Sequence, residues 1–565
     1  MRVFAVSCKL LMGIGSFGRV EEGGRAGVSV SRIAARPPEA SHSSRRSANS
    51  SEVHLQNVQF LTWVLASVAV AVLCSAVFKL ETAHAAEVEI VGTVEVTQAD
   101  DFENDRSQII YWLIEERSGN PFRLRPSQFQ KGQLITGTVI RAKGRVEGDE
   151  FVISADGGPT ESGVEVLQSA PAPSGERNLA VIIVDFQDGA VACSTEEIAA
   201  SVFPQPNVSN ENVSDFYIES SYGELGFRSD SDGDGAQDVF GPYKVNAWST
   251  DGCDYYAWAY EAEDLAIADG VDLSLYKHLL FVLPSSNGCS GWGVANVGCG
   301  TQCRAWIWQC GVQDLYAHEI GHNLGFRHSS TDTNNDGTVD SEFGDYSDIM
   351  GYSGVGWRHP NAPHKDQQGW FDSYPDRVVT LFSDATLTLA PLELYPWETT
   401  LPQVIKLYKP DTDEYYYLSY RTQLGYSSAI QTAYTEALNV HRYKGSGSLR
   451  TNFITALHDG EQFEDGITGF TVTQLSHNPD PVAGYAEVRV SFANELSPAY
   501  VNFSNAGIED GTSPPTGFDT LLEGVYSVSE GGTVIISGGS SPETIFISKA
   551  MTLLAGDGTV IMGSP

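Results

Sequence analysis

The stretch His318-Glu319-Ile320-Gly321-His322-Asn323-Leu324-Gly325-Phe326-Arg327-His328 sets two histidines four residues apart, a glutamate beside the first, and a third histidine six residues after the second. Residues four apart on a helix share a face, so His318 and His322 can aim their imidazoles at one ion with Glu319 next to them. Gly325 lets the backbone leave the helix in a conformation that a Cβ resists, which swings His328 back as a third ligand. Three neutral nitrogens leave the fourth corner of a tetrahedral zinc to water, whose pKa then falls to about 7. The chemistry on offer is hydrolysis, with Glu319 as the general base that takes the proton of the attacking water and passes it to a leaving amine. A bare HExxH also turns up on ordinary amphipathic helices. The glycine and the third histidine at fixed spacing separate this stretch from a chance match.

Downstream, Gly344-Asp345-Tyr346-Ser347-Asp348-Ile349-Met350-Gly351-Tyr352 places a methionine 22 residues beyond His328. Together, the long histidine motif and this turn resemble a metzincin zinc protease. That resemblance implies that Met350 lies beneath the ligands and that Tyr352 leans toward the metal to steady an oxyanion. With its flanks included, the chain is similar to the gametolysin family of metallopeptidases. Those flanks are Asp215-Phe216-Tyr217-Ile218-Glu219-Ser220-Ser221-Tyr222-Gly223, Cys289-Ser290-Gly291-Trp292-Gly293, Asn361-Ala362-Pro363-His364-Lys365 and Gly369-Trp370. The similarity runs over residues 178–445 and implies an extracellular endopeptidase acting on proteins, in algal members on cell-wall glycoproteins.

The elements that must position these residues follow from periodicity. The zinc helix is expected over 312–324. Leu179-Ala180-Val181-Ile182-Ile183-Val184-Asp185-Phe186 is a continuous apolar run typical of a central strand covered on both faces, and 278–283 reads as another. Between them 255–268 reads as a helix. The expected fold class is therefore an α/β (α+β) metzincin-like catalytic domain over 178–374, flanked by β-rich N-terminal and C-terminal domains. Six of the eight cysteines, Cys193, Cys253, Cys289, Cys299, Cys303 and Cys310, fall between the start of the catalytic region and the zinc helix, and an even count in an exported chain predicts up to three bridges with open connectivity. Two acidic loops carry the DxDxDG-like pattern that suits calcium: Asp230, Asp232, Asp234 and Asp238, then Asp332, Asn334, Asp336 and Asp340. The second adds Glu342. Neither has the twelfth-position glutamate of a full EF-hand, since Gly241 and Phe343 stand there.

At 565 residues, the chain has room for three or four domains. Residues 1–57 read as disordered or as an over-extended start. Residues 58–78 form an uncharged apolar run followed by Ala83-His84-Ala85, which reads as a signal peptide over 58–85, with an uncleaved membrane anchor as the rival. Either way the catalytic part is secreted or faces outward. Past residue 85 the chain holds 25 Lys and Arg against 67 Asp and Glu, so nucleic acid is an unsuitable partner. Residues 86–167 alternate as a small β-barrel or sandwich, a propeptide or accessory domain. They hold no cysteine, so any inhibition of the zinc site must come from steric cover or another ligand. Residues 168–177 are a linker, 375–495 read as a β-sandwich, and 496–565 resemble the opening coils of a parallel β-helix. The competing function is a non-catalytic adhesion or matrix-binding protein with a structural zinc; the intact Glu319 favours the hydrolase.

Overall fold

The computed structural model describes residues 87–125, 134–154, 163–170 and 173–563, apart from 208, 287, 290, 410, 446–447, 466–468, 481–482, 493–495, 544, 546 and 548–549. The expected signal segment at 58–85 and the stretch 1–57 lie outside the described residues. Among the described residues no helix is long and apolar enough to cross a membrane.

The first half of the described chain lays down strands β1 (Val88–Asp101), β2 (Arg106–Glu115), β3 (Pro121–Leu124), β4 (Val139–Glu147), β5 (Glu150–Ile153), β6 (Val164–Gln168) and β7 (Gly175–Asp185). It continues with α1 (Thr195–Val202), α2 (Val213–Ser220), β8 (Leu225–Arg228), β9 (Val239–Lys244), α3 (Tyr255–Ala268), β10 (His278–Val282), β11 (Gly293–Asn296), β12 (Cys303–Ile307), α4 (Gln313–Asn323) and β13 (His328–Thr331). The run Leu179 to Val184 is central: β7 pairs in parallel with β8, β9 and β10, and β10 with β12. Its alternation feeds two cores. Leu179, Val181 and Ile183 face α1, α2 and α4, whereas Ala180, Ile182 and Val184 face α3. This explains why the segment carries no polar position, since a strand covered on both faces has no solvent side.

β11 runs antiparallel to β12, and β1 pairs antiparallel with β11, Asp100 standing opposite Gly293. The N-terminal strands also close on themselves through β1–β2, β2–β3, β3–β5, β5–β4 and β4–β1, a ring around Val94, Val96, Leu113, Ile140 and Phe151. The 14-residue β1 is long enough to serve both groups: Val88 to Thr93 pair with β4 and Thr97 to Asp100 with β11, so one sheet runs from the N-terminal ring into the parallel strands.

Beyond α5 (Ala362–Gln367) come β14 (Val378–Leu381), β15 (Ala385–Leu389), β16 (Val404–Lys409), β17 (Glu414–Arg421), β18 (Ala437–Tyr443), β19 (Arg450–Leu457), β20 (Gln462–Asp465), β21 (Phe470–Asn478) and β22 (Tyr485–Phe492). They form sheets in the orders β13-β19-β18-β17-β16-β14 and β15-β22-β21-β20, which share the core of Ile405, Leu418, Val440, Val472 and Val488. The six-stranded sheet includes β13, so the strand that begins at His328 is built into the C-terminal half, with His328 opposite Arg450. The tail contributes three parallel strands, Ala499–Val501, Thr533–Ser541 and Thr552–Met562.

Candidate metal centre

α4 begins one residue inside the expected span and ends in a Schellman turn: Gly325 N–H bonds His322 O at 2.8 Å, Phe326 N–H bonds Gly321 O at 3.1 Å, and Gly325 takes φ +94°. The turn carries His328 back over the helix. His318, Glu319, His322 and His328 are all fully buried, and the imidazole centroids stand 5.0 to 5.5 Å apart. Each ring has its Nδ1 tied to an oxygen: His318 to Ile349 O at 2.9 Å, His322 to Phe326 O at 2.9 Å, and His328 to Glu342 Oε1 at 2.8 Å. An oxygen acceptor at Nδ1 favours the tautomer whose Nε2 can ligate, the arrangement metal-bound histidines use, and His328 Nε2 also lies 2.9 Å from Gln98 Nε2. The three Nε2 atoms turn toward one point and form a group able to hold a metal ion.

A fourth donor belongs to that group, and sequence reasoning missed it. Asp100, at the end of β1, sets Oδ2 3.0 Å from His322 Nε2 and 3.3 Å from His318 Nε2, and Oδ1 3.0 Å from His328 Nε2. Burial pushes the Asp100 carboxyl up, but His328, His322 and His318 outweigh it and hold it well below the usual carboxylate range. Burial lowers the His328 imidazole, and the Asp100 and Glu342 carboxylates more than reverse this, carrying it up to about 9. Burial and the Asp100 charge both push the Glu319 carboxyl well above its ordinary value. Neither Glu319 oxygen has a hydrogen-bond partner. Its space is made by Gly293, where a Cβ would fall 2.0 Å from Glu319 Oε1.

Met350 lies under the helix, fully buried, and needs Gly321: a Cβ there would sit 2.5 Å from Met350 Sδ. The turn that bears Met350 is wired to the Asn361 segment. Asp348 Oδ2 takes hydrogen bonds from Asn361 N at 2.7 Å and His364 Nδ1 at 2.9 Å, and Asp348 Oδ1 from Met350 N at 2.6 Å. Asp345 meets His441 Nε2 of β18 at 2.9 Å. The buried Lys365 donates to Ser220 O at 2.7 Å and stands 4.0 Å over the Tyr222 ring. The flanking segments picked out in the sequence thus pack on one another through buried charges, which explains their polar make-up. Tyr352 lies edge-on to Phe102 at 5.7 Å, and Phe102 is itself edge-on to His318 at 5.1 Å.

The acidic loops fare differently. Asp230, Asp232 and Asp234 gather at the surface, but Asp238 turns inward, where Tyr276 donates to its Oδ1 at 2.7 Å. In the second loop Arg442 bonds Asp332 Oδ2 at 2.7 Å, Asp336 N–H bonds Asn334 Oδ1, and Asp340 Oδ2 accepts from Thr333 N and Oγ1. Glu342, expected to reinforce that loop, instead orients His328. The six cysteines among the described residues all pair, as Cys193–Cys310, Cys253–Cys289 and Cys299–Cys303.

The signal that could have found Asp100 was faint: alternation that persists past Val96 and ends in two consecutive carboxylates.

The family model for gametolysin peptidase M11 matches residues 178–457, nearly half of the chain. That match supports a metallopeptidase of this family. A search of curated proteins found no match to the chain.

Proposed function

We propose that the chain is a zinc-dependent endopeptidase of the gametolysin family and of metzincin type, exported and acting on extracellular proteins. The observation that carries this reading is the convergence of three Nε2 atoms, each on a ring whose Nδ1 is hydrogen-bonded to an oxygen, beside a buried Glu319 carboxyl without a partner. The donor set suits the group: three imidazoles within reach of one point are what a catalytic zinc takes. Bound by His318, His322 and His328, zinc supplies Lewis acidity and makes a water nucleophilic near neutral pH.

The rest of the work falls to the chain. Glu319 accepts the proton of the attacking water and delivers it to the amine nitrogen as the peptide bond breaks. Its burial suits this, since a raised pKa brings a carboxylate closer to the pH at which it must both take and give a proton. Tyr352, which shares Phe102 as a neighbour with His318, is the side chain for the oxyanion. Ile349 O and Phe326 O keep two of the imidazoles in the ligating tautomer.

A structural zinc on a binding protein is the second reading, and Asp100 is what favours it, since four protein donors are a closed shell. A structural site has no use for Glu319, however, and an unbonded buried carboxylate is costly to keep. The three disulfides support export to an oxidising compartment, with release from the membrane after Ala85 and retention by 58–78 as alternatives. A cell-wall or matrix glycoprotein is the proposed substrate class. The acidic loops play no part in this reading.

Casein digestion by the zinc-loaded chain, intact and nicked within the 168–177 linker, is the test. Wild type should cleave in at least one form, and chelation or Glu319→Ala should abolish cleavage. Equal activity in the presence and absence of Glu319 overturns the reading.

A further inference from the structure

We infer that the N-terminal strands hold the peptidase latent from within, with the Asp100 carboxylate as the fourth ligand of the metal and Phe102 as a plug in the cleft beside it. The inference rests on the proposed peptidase reading and adds to it an inhibitor made of the chain's own residues.

Three independent observations meet here. The first is the position of the carboxylate. Donor atoms that share one tetrahedral zinc at about 2.0 to 2.1 Å stand roughly 3.3 Å apart. The Asp100 oxygens lie 3.0 to 3.3 Å from the three Nε2 atoms. Asp100 therefore sits where a water would have to bind.

The second is the backbone. β1 adds to the edge of the parallel sheet as an extended peptide does, Thr97 to Asp100 pairing with Asn296 to Gly293. Trp292 N–H bonds Asp100 O at 3.0 Å, and Val297 N–H bonds Val96 O at 2.8 Å. The edge is cut to receive it: Gly291 has φ +101°, and a Cβ on it would lie 2.2 Å from Asp100 O. A peptide that added to this edge would have to displace these β1 residues.

The third is Phe102. Only 2% exposed, it lies among Trp292, His318, Phe343 and Tyr352, with ring centroids 4.4 to 5.7 Å away. Four partners from the catalytic half surround a side chain contributed by the N-terminal half. The hydrogen bonds of Asp105 Oδ1 with Ser341 Oγ and Phe343 N, at 3.0 and 3.1 Å, lock the following turn.

Residues 86–167 hold no cysteine, so a carboxylate takes the part that a thiolate could have played. A carboxylate does not oxidise, so release depends on withdrawing the strand rather than on redox state.

The test uses the full chain loaded with Co(II), whose visible absorption reports the ligand set. Asp100→Asn should bind one Co(II) per chain, keep the wild-type near-ultraviolet circular dichroism, and change the position or intensity of the cobalt bands. It should also release metal to a chelator at least tenfold faster. In the zinc form, Asp100→Asn combined with Phe102→Ala should hydrolyse a short fluorogenic peptide at least tenfold faster than wild type. Identical cobalt bands for wild type and Asp100→Asn overturn the inference. Equal hydrolysis by wild type and the double variant overturns it as well, and leaves the peptidase reading standing. Hydrolysis by no form at all overturns the peptidase reading, and latency with it.

Discussion

Glu319 and its neighbour Gly293 show how little tolerance the centre has. The carboxylate occupies space that a methyl group at 293 would fill. Glu319→Gln should keep the metal, because it removes no ligand, yet lower kcat by about 10²- to 10⁴-fold, the usual worth of a positioned general base. Metal analysis beside turnover on one preparation checks both halves. Glu342→Gln should act on the other side of the ledger of roles, weakening metal affinity by about 10- to 100-fold through His328, whose Nδ1 it holds at 2.8 Å; a competition titration against a chelator measures it. The three histidines and Glu319 stood out because eleven contiguous residues carry them. Asp100 did not, because it lies 222 residues from His322 and no local pattern links a strand end to a helix so distant. Glu342 was assigned to a cation loop by adjacency, whereas the fold turns it toward an imidazole.

The helix that bears the motif depends on the turns around it. Gly325→Ala must adopt φ near +94° with a Cβ, which costs about 1 to 2 kcal/mol. A lowered Tm together with weaker metal binding is expected, because the same turn aims His328. The Met350 turn makes a second case. Burial raises the Asp348 carboxyl, but His364 and the amides of Asn361 and Met350 hold it below its ordinary range. A depressed carboxyl contributes stability that is present above the unfolded-state pKa of about 4 and is lost as pH falls through the folded one. Wild type should therefore exceed Asp348→Asn in Tm at pH 7, and the gap should narrow as pH drops below about 4; melting curves between pH 7 and 3 test this. At this scale the sequence was informative where periodicity is strong. The helix expected at 255–268 appears at that place, and the strands expected at 179–186 and 278–283 appear as Gly175–Asp185 and His278–Val282. It was least informative about partnership. Nothing in Ser329-Ser330-Thr331 announces that β13 will pair with a strand more than a hundred residues later.

Across the molecule, long-range closures dominate. Cys193–Cys310 ties the loop before α1 to the loop before α4 across 117 residues. A loop of that length restricts the unfolded chain by at most about 5 kcal/mol. Replacing both cysteines by serine should lower Tm by several degrees while sparing the histidine geometry, which spectroscopy of the cobalt form would follow. The β-rich segment that the sequence placed ahead of the catalytic region is joined to the parallel strands by β1, which is both a stave of the N-terminal ring and the neighbour of β11.

That shared stave has a consequence for the molecule once it is withdrawn. The amides and carbonyls of Gly293 to Asn296 would then face solvent with no neighbour, and an uncovered sheet border pairs with whatever extended chain it meets. Substrate would be gripped first by its main chain, so that a locally unfolded segment of almost any sequence could be captured before its side chains were tested. The same hunger would make the freed form prone to clasp a second copy of itself when no substrate is at hand.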